Sequence, residues 1–493
     1  MPVAGDSVDH NSRGPNRLRW FATVCKGLQK RTNCETNAIE TAGTPRWLTA
    51  IPNLGWDDRH IPDDPLRTAP LIVYMSTCIL AAMKPMVAHL DADCFYVSCE
   101  RVRDFALRQV PSGVLGNQGA CVIAKSYEAK ALGVKTGMPI WEAVECCPDG
   151  VFLKRDFRWY EVLSRQLLDL LRTVSPAVEY YSIDEMFFDA NELPGVFARP
   201  LHETAVALQH RVLDEIGIPV SMGISWTKTL AKLVSDTAKP FGCRVLLDEL
   251  EIQQFLRTHP VEEISGIGER SRIKLEAHGI KTCWEFSQAD RHLIRKLLTI
   301  TGEGKWWELH GTLIQPVLTQ RPKHKCIGRG GSLGEATTDM ARLSAWVSRN
   351  TERLIEELDF HEVLTQRLYF AVEFKGGGGW CGRARFLEPT ASYRDISGAA
   401  RELLTEAHRL QKKINGMHLL AEDLYDRNRG VQLSLFANVE APGVERAAEI
   451  KRSINDRLGR FVVRSGETLP LKEIYADEAN DFDICDVRGK ICF

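Results

Sequence analysis

The chain has 493 residues, of which 44% are hydrophobic and 26% are charged, a composition that suits a globular protein of about three or four domains. The formal net charge is only −2, so any affinity for nucleic acid must come from local basic surfaces. The apolar run from Leu71 to Met83 is shorter than the roughly 20 residues that a membrane span needs. The 14 cysteines are scattered without zinc-ligand spacing and follow no secretory signal, which predicts reduced thiols and a cytoplasmic location.

Residues 1–82 mix Pro, Gly, Asn, Arg and Trp without sustained periodicity. We therefore expect an extension that is disordered or poorly ordered. The alternative is a small accessory region. Met83 and Met86 are natural starts, so an upstream start-codon assignment would also produce such a leader.

From Met86 onward the pattern predicts a strand, a helix-rich insert, a helix and two further strands. The leucines of Glu161 to Val174 have helical spacing, and Ser175-Pro176 ends that helix. The stretches Val178 to Phe188 and Val220 to Ile224 have the composition of strands. This combination predicts an α+β architecture with an antiparallel sheet.

Two acidic clusters accompany these strands. Asp91 and Asp93 end the first apolar stretch, and residues i and i+2 of a strand share a face. Asp184 and Glu185 are adjacent among aromatic and β-branched residues, where unpaired negative charge would cost several kcal/mol. Oxygen ligands from two strands suit Mg²⁺ in two-metal phosphoryl transfer. The alternative is that each pair is a surface feature at a strand end or turn.

Gly266 and Gly268 form a Gly-x-Gly turn between two predicted helices. A helix-hairpin-helix motif uses such a turn to present backbone N–H groups to a DNA phosphate. An ordinary packing corner between two helices is the alternative.

A short basic linker from Arg321 to Lys325 precedes a segment that extends to about Asp426. The predicted elements are helices at Met340 to Leu358 and Ala399 to Ile414, and strands near Leu368 to Phe374 and Cys381 to Phe386. They predict a sheet backed by two helices. Four basic residues could meet phosphates from the face of this sheet: Arg329, Lys375, Arg383 and Arg385.

The motifs and their order closely resemble those of the Y-family translesion DNA polymerases over roughly Lys84 to Asp426. The motifs are His89–Glu100, Cys121–Val134, Tyr181–Glu185, Val220–Ser225 and Ala238–Pro240. Several independent motifs in the right order are more specific than any one of them. Features typical of the UmuC (polymerase V) and DinB (polymerase IV) branches both occur, so the sub-branch stays open.

The resemblance implies a right-hand polymerase with a palm, small fingers, a thumb and a little finger. The implied parts are a palm at 83–246 with fingers inserted at about 96–158, a helix-hairpin-helix thumb at 247–318, a linker at 319–326, a little finger at 327–426 and a C-terminal tail at 427–493.

The resemblance also implies low-fidelity, template-directed synthesis from dNTPs on primer-template DNA, with two Mg²⁺ ions. By resemblance, Asp91, Asp184 and the carbonyl of Ala92 hold the nucleotide-associated ion. Asp91, Asp184 and Glu185 hold the ion that activates the 3′ hydroxyl, and Asp93 supports the site. A rival hypothesis is a catalytically silent relative that acts as a clamp-bound scaffold. Loss of a carboxylate would mark that rival.

Tyr127, Lys130 and Lys239 match family positions that hold the triphosphate. Lys130 stands where many DinB-like enzymes have arginine, so it keeps the charge and loses the bidentate fork. Ala124 stands where some have a hydroxyl residue, which puts one hydrogen bond in doubt. A solvated helix face for Lys130 and a core position for Tyr127 are the alternatives.

Phe95 and Tyr96, which follow the first acidic pair, are two further candidates for nucleotide binding. Tyr96 matches the family's steric gate, an aromatic side chain beneath the sugar that excludes a 2′ hydroxyl. Phe95 suits a core position better, and a core position remains the alternative for Tyr96.

The peptide Gln432-Leu433-Ser434-Leu435-Phe436 resembles the short motif that bacterial polymerases insert into a groove of the sliding clamp. It follows a polar stretch just beyond the predicted little finger. A chance apolar patch is the alternative. The need for a UmuD-like partner and the role of the end of the tail stay open.

Overall fold

The structure is a computed structural model that describes residues 84–116, 121–193, 200–320, 322–429, 447, 450–451, 453–455, 457–458 and 462–471. The predicted leader at 1–82 and the predicted clamp-binding peptide from Gln432 to Phe436 lie outside the described residues. The fold is α+β, as the sequence predicts.

Strands and helices alternate along the described part of the chain. The strands are β1 (Val87–Ala92), β2 (Ser112–Leu115), β3 (Val122–Lys125), β4 (Val151–Lys154), β5 (Val178–Tyr180), β6 (Glu185–Asp189), β7 (Val220–Ser225), β8 (Cys243–Val245), β9 (Cys326–Thr337), β10 (Val363–Phe374), β11 (Gly379–Thr390) and β12 (Ile414–Asp426). The helices are α1 (Phe95–Arg103), α2 (Tyr127–Ala131), α3 (Ile140–Cys146), α4 (Phe157–Arg172), α5 (Leu201–Ile216), α6 (Lys228–Ala238), α7 (Glu249–Thr258), α8 (Glu269–Glu276), α9 (Cys283–Gln288), α10 (Arg291–Leu309), α11 (Met340–Phe360) and α12 (Tyr393–His408). Among the helices that the structure describes, none is long and apolar enough to cross a membrane.

The predicted palm is built on a five-stranded sheet, which we call the central sheet, with the strand order β5-β6-β1-β7-β8. Its pairs are antiparallel except for β7 with β8, which are parallel. All six residues of β1 are buried. Leu90 belongs to the large core cluster that includes residues of α4 and α5, whereas Val87 clusters with Ala231 of α6. Helices therefore cover β1 on both faces of the sheet.

The predicted helix from Glu161 is α4, which begins earlier, at Phe157. Its start is set by Asp156, whose carboxylate accepts the N–H of Trp159 at 3.2 Å and so caps the helix. Leucines four residues apart along α4 belong to the core cluster of the central sheet. The leucine periodicity therefore identified the helix and missed its cap.

The single strand predicted from Val178 to Phe188 is wrong, because the structure has two strands, β5 and β6, joined by a turn. The N–H groups of Tyr181 and Ser182 both donate to the carbonyl of Glu185, at 3.1 and 3.0 Å. The strand-like composition continues through this turn, so composition alone gave no sign of it. The turn places Asp184 at the end of the sheet.

A small sheet in the order β3-β2-β4 lies within the predicted fingers. Strand β2 is antiparallel to β3 and parallel to β4. A separate core cluster joins the two layers of this region: it includes Leu115 of β2, Val122 of β3, Ala129 of α2 and Ala143 of α3. This region therefore has its own core beside the central sheet.

Helices α7 to α10 occupy the predicted thumb. Their core cluster includes Leu230 and Leu233 of α6. A different residue of α6, Ala231, belongs to the cluster with Val87 and Phe187 of the central sheet. Helix α6 therefore packs against both the central sheet and helices α7 to α10.

The C-terminal sheet has the order β11-β10-β12-β9, all antiparallel, and residues of α11 and α12 share its core cluster. This arrangement is the predicted sheet backed by two helices. The predicted second helix, Ala399 to Ile414, is shifted in the structure to Tyr393–His408. Gln411 has a φ of 53°, and Ile414 is fully buried as the first residue of β12. The exposed Leu410 of the turn and the buried Ile414 continued the helical pattern in the sequence.

Part of the predicted C-terminal tail packs on the C-terminal sheet's helices. Leu471 is 3% exposed and belongs to that core cluster. Glu467 accepts a hydrogen bond from Ser348 at 2.6 Å, and the N–H of Ser465 donates to Glu352 at 3.0 Å. These contacts hold residues 462–471 against α11.

A buried ion pair connects α6 to the central sheet. Lys228 Nζ lies 2.7 Å from Glu179 Oε1, and the two side chains are 7% and 11% exposed. The other oxygen of Glu179 accepts the N–H of Leu318 at 2.7 Å. The pair therefore joins β5, α6 and the chain just before the predicted linker.

We predict that Lys228→Met lowers the free energy of unfolding by about 3–5 kcal/mol, because it leaves the Glu179 carboxylate buried without a counter-ion. Urea unfolding followed by tryptophan fluorescence measures this loss. Lys296→Met, which removes an exposed charge on α10, should change stability by less than about 0.5 kcal/mol.

The double variant Glu179→Gln/Lys228→Met should be less destabilised than Lys228→Met alone, because neither residue then carries a buried charge. Equal stability of Lys228→Met and the wild-type protein would contradict the role of this ion pair.

Candidate active site

The predicted carboxylates come together at one end of the central sheet. Asp91 on β1 is the register partner of Glu185 on β6. The N–H of Ala92 donates to the carbonyl of Asp184 at 2.9 Å, which holds the turn before β6 against the end of β1. Asp91 and the adjacent pair Asp184-Glu185, which are far apart in the sequence, therefore lie on neighbouring backbone positions.

Burial perturbs the protonation of these carboxylates. Asp91 is 5% exposed, and burial raises the pKa of its carboxyl to about 8, although the nearby Lys239 ammonium opposes this rise. Burial also raises the pKa of Asp184, against the effect of a hydrogen bond that Ser182 donates to its carboxylate at 2.5 Å. A cation beside these groups favours their charged forms. The site is therefore suited to bind positive charge.

Helix α6 places positive charge at these carboxylates. Lys232 Nζ lies 2.5 Å from Glu185 Oε1, and Lys239 Nζ lies 2.7 Å from Asp91 Oδ2. Asp236 is also close to both ammonium groups, at 3.5 Å from Lys232 and 3.0 Å from Lys239. One face of α6 and its C-terminal cap therefore carry a charge network that includes two of the three acidic residues.

Hydrogen bonds on both sides fix the position of α6. His89 Nδ1 lies 2.6 Å from Ser235 Oγ, whose hydroxyl donates to the carbonyl of Lys232 at 2.9 Å. At the first turn of α6, the N–H of Thr229 donates to Glu308 of α10 at 2.9 Å. The helix is therefore attached to both β1 and α10.

Asp93 is occupied by hydrogen bonds away from the other carboxylates. Its oxygens accept from the hydroxyl of Ser221 at 3.0 Å, the N–H of Phe241 at 2.7 Å and the hydroxyl of Tyr127 at 3.2 Å. Asp93 therefore connects β1 to α2 and to the chain after α6. This placement suits a supporting role.

The donor set fits a divalent cation. One ligand atom each from His89, Asp91 and Glu185 lie within 4.8 Å of one another. Asp184 lies in the turn just before Glu185, so carboxylate oxygens dominate the site. Such hard oxygen ligands are those that Mg²⁺ prefers.

The predicted triphosphate residues lie around this end of the sheet. Tyr127 begins α2 and contacts Asp93, and Lys239 forms the C-terminal cap of α6 beside Asp91. Lys130 is exposed, with its ammonium 6.0 Å from the centre of the Tyr127 ring. Ala124 lies in β3 and brings no hydroxyl. Their role in nucleotide binding stays a prediction.

The ring of Tyr96 packs against a cluster of aromatic side chains. It stacks on Tyr160 with ring centres 4.8 Å apart and an interplanar angle of 22°. Tyr160 is fully buried and donates to Glu100 at 2.6 Å, and Arg103 in turn binds Glu100. Phe95 is 4% exposed, so it occupies a core position, whereas Tyr96 is partly exposed. A fixed partner therefore stands behind the predicted steric gate.

The predicted hairpin turn has the backbone that its glycines allow. Gly266 has a φ of +87°, and Gly268 is the N-terminal cap of α8. A Cβ on Gly266 would also lie only 3.1 Å from Lys305 Cε. The backbone conformation therefore favours glycine at 266, whereas the flexible Lys305 side chain could move to admit a Cβ. The DNA contact of this turn stays a prediction.

The four basic residues of the C-terminal sheet that were predicted to contact phosphates differ in their exposure. Arg383 is 56% exposed on β11, near Glu422, and Arg385 and Lys375 are also exposed. Arg329 is 10% exposed and forms an ion pair with Glu357 of α11. The placement of Arg329 on the helical side does not support a phosphate contact. Alternation along β9 was hard to predict because its glycines carry no side chains to mark the faces.

Sequence reasoning missed the residues that support the carboxylates. Lys232, which contacts Glu185, follows Lys228 by four residues on α6, a helical spacing that the sequence contains. Ser182 and Ser221 gave no comparable signal, because their roles depend on which strands pair.

Comparisons with known proteins agree with this geometry. The impB/mucB/samB family profile matches residues 90–236, and the C-terminal domain profile of that family matches residues 324–435. The chain is 30% identical over 399 residues to DNA polymerase IV 1 of Bacillus subtilis. The aligned region covers 79% of this chain and 94% of that protein. The chain belongs to this family of Y-family DNA polymerases.

Further similarities support the same assignment. DNA polymerase IV of Bacillus velezensis is 29% identical over 401 residues, covering 80% of this chain and 95% of that protein. A solved Y-family DNA polymerase chimera of Dbh and Dpo4 superimposes with a TM-score of 0.60 at 22% identity, covering 69% of this chain and 99% of the chimera. The chain therefore has the Y-family fold.

For this Y-family polymerase we predict that Tyr96→Ala raises ribonucleotide incorporation relative to deoxyribonucleotide incorporation by at least about tenfold, because it removes the obstacle at the 2′ position. Tyr160→Leu should shift the ratio in the same direction by a smaller amount, since Tyr96 loses its stacking partner. Tyr160→Phe keeps the ring and serves as the control. Single-nucleotide incorporation with each sugar measures the ratio, and unchanged selectivity of Tyr96→Ala would place Tyr96 in the core.

Proposed function

We propose that the chain catalyses template-directed, low-fidelity DNA synthesis across damaged templates, at the site formed by Asp91, Asp184 and Glu185. The observation that supports this most directly is the register pairing of Asp91 with Glu185 beside the backbone bond from Ala92 to Asp184. By resemblance these residues match the family's acidic positions, and they meet at one end of the central sheet. The substrates are primer-template DNA and dNTPs.

Two Mg²⁺ ions are the proposed cofactors. Asp91, Asp184 and the carbonyl of Ala92 would hold the nucleotide-associated ion, and Asp91, Asp184 and Glu185 the other. When bound, such ions stabilise the charge that develops on the attacking and leaving oxygens. The rest of the work is positioning and charge neutralisation by the protein.

The triphosphate is the proposed ligand of Tyr127, Lys130 and Lys239. Lys239 already forms charged contacts at the carboxylates, and its side chain is 28% exposed, so a triphosphate can reach its ammonium. The exposed Lys130 adds a point charge without the fork of arginine. Asp93 holds the hydroxyl of Tyr127 and so orients that side chain.

The duplex is the proposed ligand of the Gly266–Gly268 turn and of Arg383. The turn leads into the N-terminus of α8, where backbone N–H groups favour a phosphate. Arg383 presents an exposed guanidinium on the C-terminal sheet. Such contacts position the DNA without reading its sequence, which suits an enzyme that copies any template.

The catalytically silent alternative is disfavoured. A scaffold has no need for three acidic residues aligned on adjacent backbone positions, because buried carboxylates cost stability unless they bind something. Asp91, Asp184 and Glu185 are all present and converge.

We predict that Asp184→Ala and Glu185→Ala each reduce primer extension by at least about a thousandfold, because each removes a ligand that stabilises developing charge. Asp169→Ala serves as the control, since that carboxylate is 73% exposed on α4 and away from the site. Gel-based primer extension with purified protein measures the effect. Substantial synthesis by both site variants would overturn the assignment of the metal site.

We also propose that the peptide from Gln432 to Phe436 binds the sliding clamp, with Leu433, Leu435 and Phe436 as apolar anchors. It lies outside the described residues, so the proposal stands on its sequence. In the proposed complex the anchors are buried against the clamp, and each side chain that binding buries is worth about 1.5–3 kcal/mol.

Leu435→Ala/Phe436→Ala should therefore weaken clamp binding by at least about a hundredfold, at about 1.4 kcal/mol for each tenfold. Val439→Ala is the control for an apolar truncation just outside the peptide. Surface plasmon resonance on the immobilised clamp measures affinity, and extension of a short primer without clamp should not change. Loss of clamp-free activity would instead place the peptide in the folded body.

A further inference from the structure

Lys232 places a positive charge beside two of the proposed metal ligands, Asp91 and Glu185. Its ammonium lies 2.5 Å from Glu185 Oε1 and 4.0 Å from Asp91 Oδ2. The Lys232 side chain is 12% exposed. These are the carboxylates that the proposed function assigns to metal, so a divalent ion on them would lie close to a fixed positive charge.

Lys232 is held more firmly than the other lysine of the site. It lies in the middle of α6, and its carbonyl accepts the hydroxyl of Ser235, which His89 ties to β1. Lys239 is the C-terminal cap of α6 and is 28% exposed. A substrate can therefore draw Lys239 away from Asp91, whereas Lys232 stays beside Glu185.

We propose that Lys232 is a positioning residue, a fixed counter-ion that orients Glu185 and weakens divalent metal binding to the protein alone. Two positive charges about 4 Å apart repel strongly even at the edge of a protein. Firm metal binding then depends on the nucleotide, whose triphosphate brings negative charge and oxygen ligands. This inference rests on the proposed function of the same carboxylates.

Release of Lys239 from Asp91 would couple nucleotide binding to metal binding. Lys239 Nζ holds Asp91 Oδ2 at 2.7 Å, so one oxygen of that carboxylate is shared with an ammonium. A triphosphate competes for the same ammonium and so frees the Asp91 oxygen. Nucleotide and metal therefore bind with positive cooperativity, which acts in both directions.

Manganese binding to the full chain tests the proposal without DNA and without catalysis. The electron paramagnetic resonance signal of free Mn²⁺ reports the affinity at fixed pH, first alone and then with a dNTP. Lys232→Met should bind Mn²⁺ at least about tenfold more tightly than the wild-type protein without nucleotide. Lys232→Arg keeps the charge and should bind as weakly as wild type.

Lys296→Met is the matched control, because it makes the same change in net charge on an exposed site of α10 and should leave the affinity unchanged. Circular dichroism checks that each variant folds, and Lys232→Gln replaces Lys232→Met if the latter does not. Equal or weaker Mn²⁺ binding by the folded charge-removing variant would overturn the proposal.

A second readout separates this inference from the proposed function. The added dNTP should increase the Mn²⁺ affinity of the wild-type chain and of Lys232→Met by similar factors, because it displaces Lys239 and leaves Lys232 in place. If the wild-type chain extends no primer and yet the Mn²⁺ results are as expected, the counter-ion role stands and the polymerase assignment fails. If extension depends on Asp184 and Glu185 while the Mn²⁺ results are negative, the polymerase assignment stands and the role of Lys232 fails.

Discussion

The negative charge at the end of the central sheet is the constraint on which the rest of the structure depends. Asp91 is 5% exposed and lies opposite Glu185 on the neighbouring strand. Carboxylates this close repel each other and lose hydration, so they stay ionised only beside positive charge. Helix α6 provides that charge through Lys232 and Lys239. A site built in this way attracts a cation, and the two lysines determine when that cation can bind.

The position of α6 therefore affects both catalysis and architecture. Glu308 of α10 accepts the N–H of Thr229 at the start of the helix, and Lys228 pairs with Glu179, which also accepts the N–H of Leu318. These bonds connect α10 and the chain at Leu318 to the same helix that carries the site lysines. A shift of α6 would move the charges beside the carboxylates, so the packing of helices α7 to α10 on α6 and the geometry of the site are coupled.

Much of the fold and the acidic core of the site could be predicted from the sequence, for identifiable reasons. Carboxylates in apolar strands are expensive unless they bind a cation, so Asp91 and Asp184 stood out, and leucine periodicity marked α4. The turn before Glu185 and the inward direction of Arg329 could not be predicted, because strand-like composition continues through the turn and glycines obscure the alternation of β9. The partners of the carboxylates depend on which elements pack together, and a single sequence does not encode that in local patterns.

A crystal structure of the protein with primer-template DNA, a non-hydrolysable dNTP and Mg²⁺ tests the central claim most directly. It should show metal density on Asp91, Asp184 and Glu185, with the ammonium of Lys239 on the triphosphate. The ammonium of Lys232 should remain within hydrogen-bond distance of Glu185. Metal and phosphates bound away from these carboxylates, or Lys232 turned away from Glu185, would contradict the account.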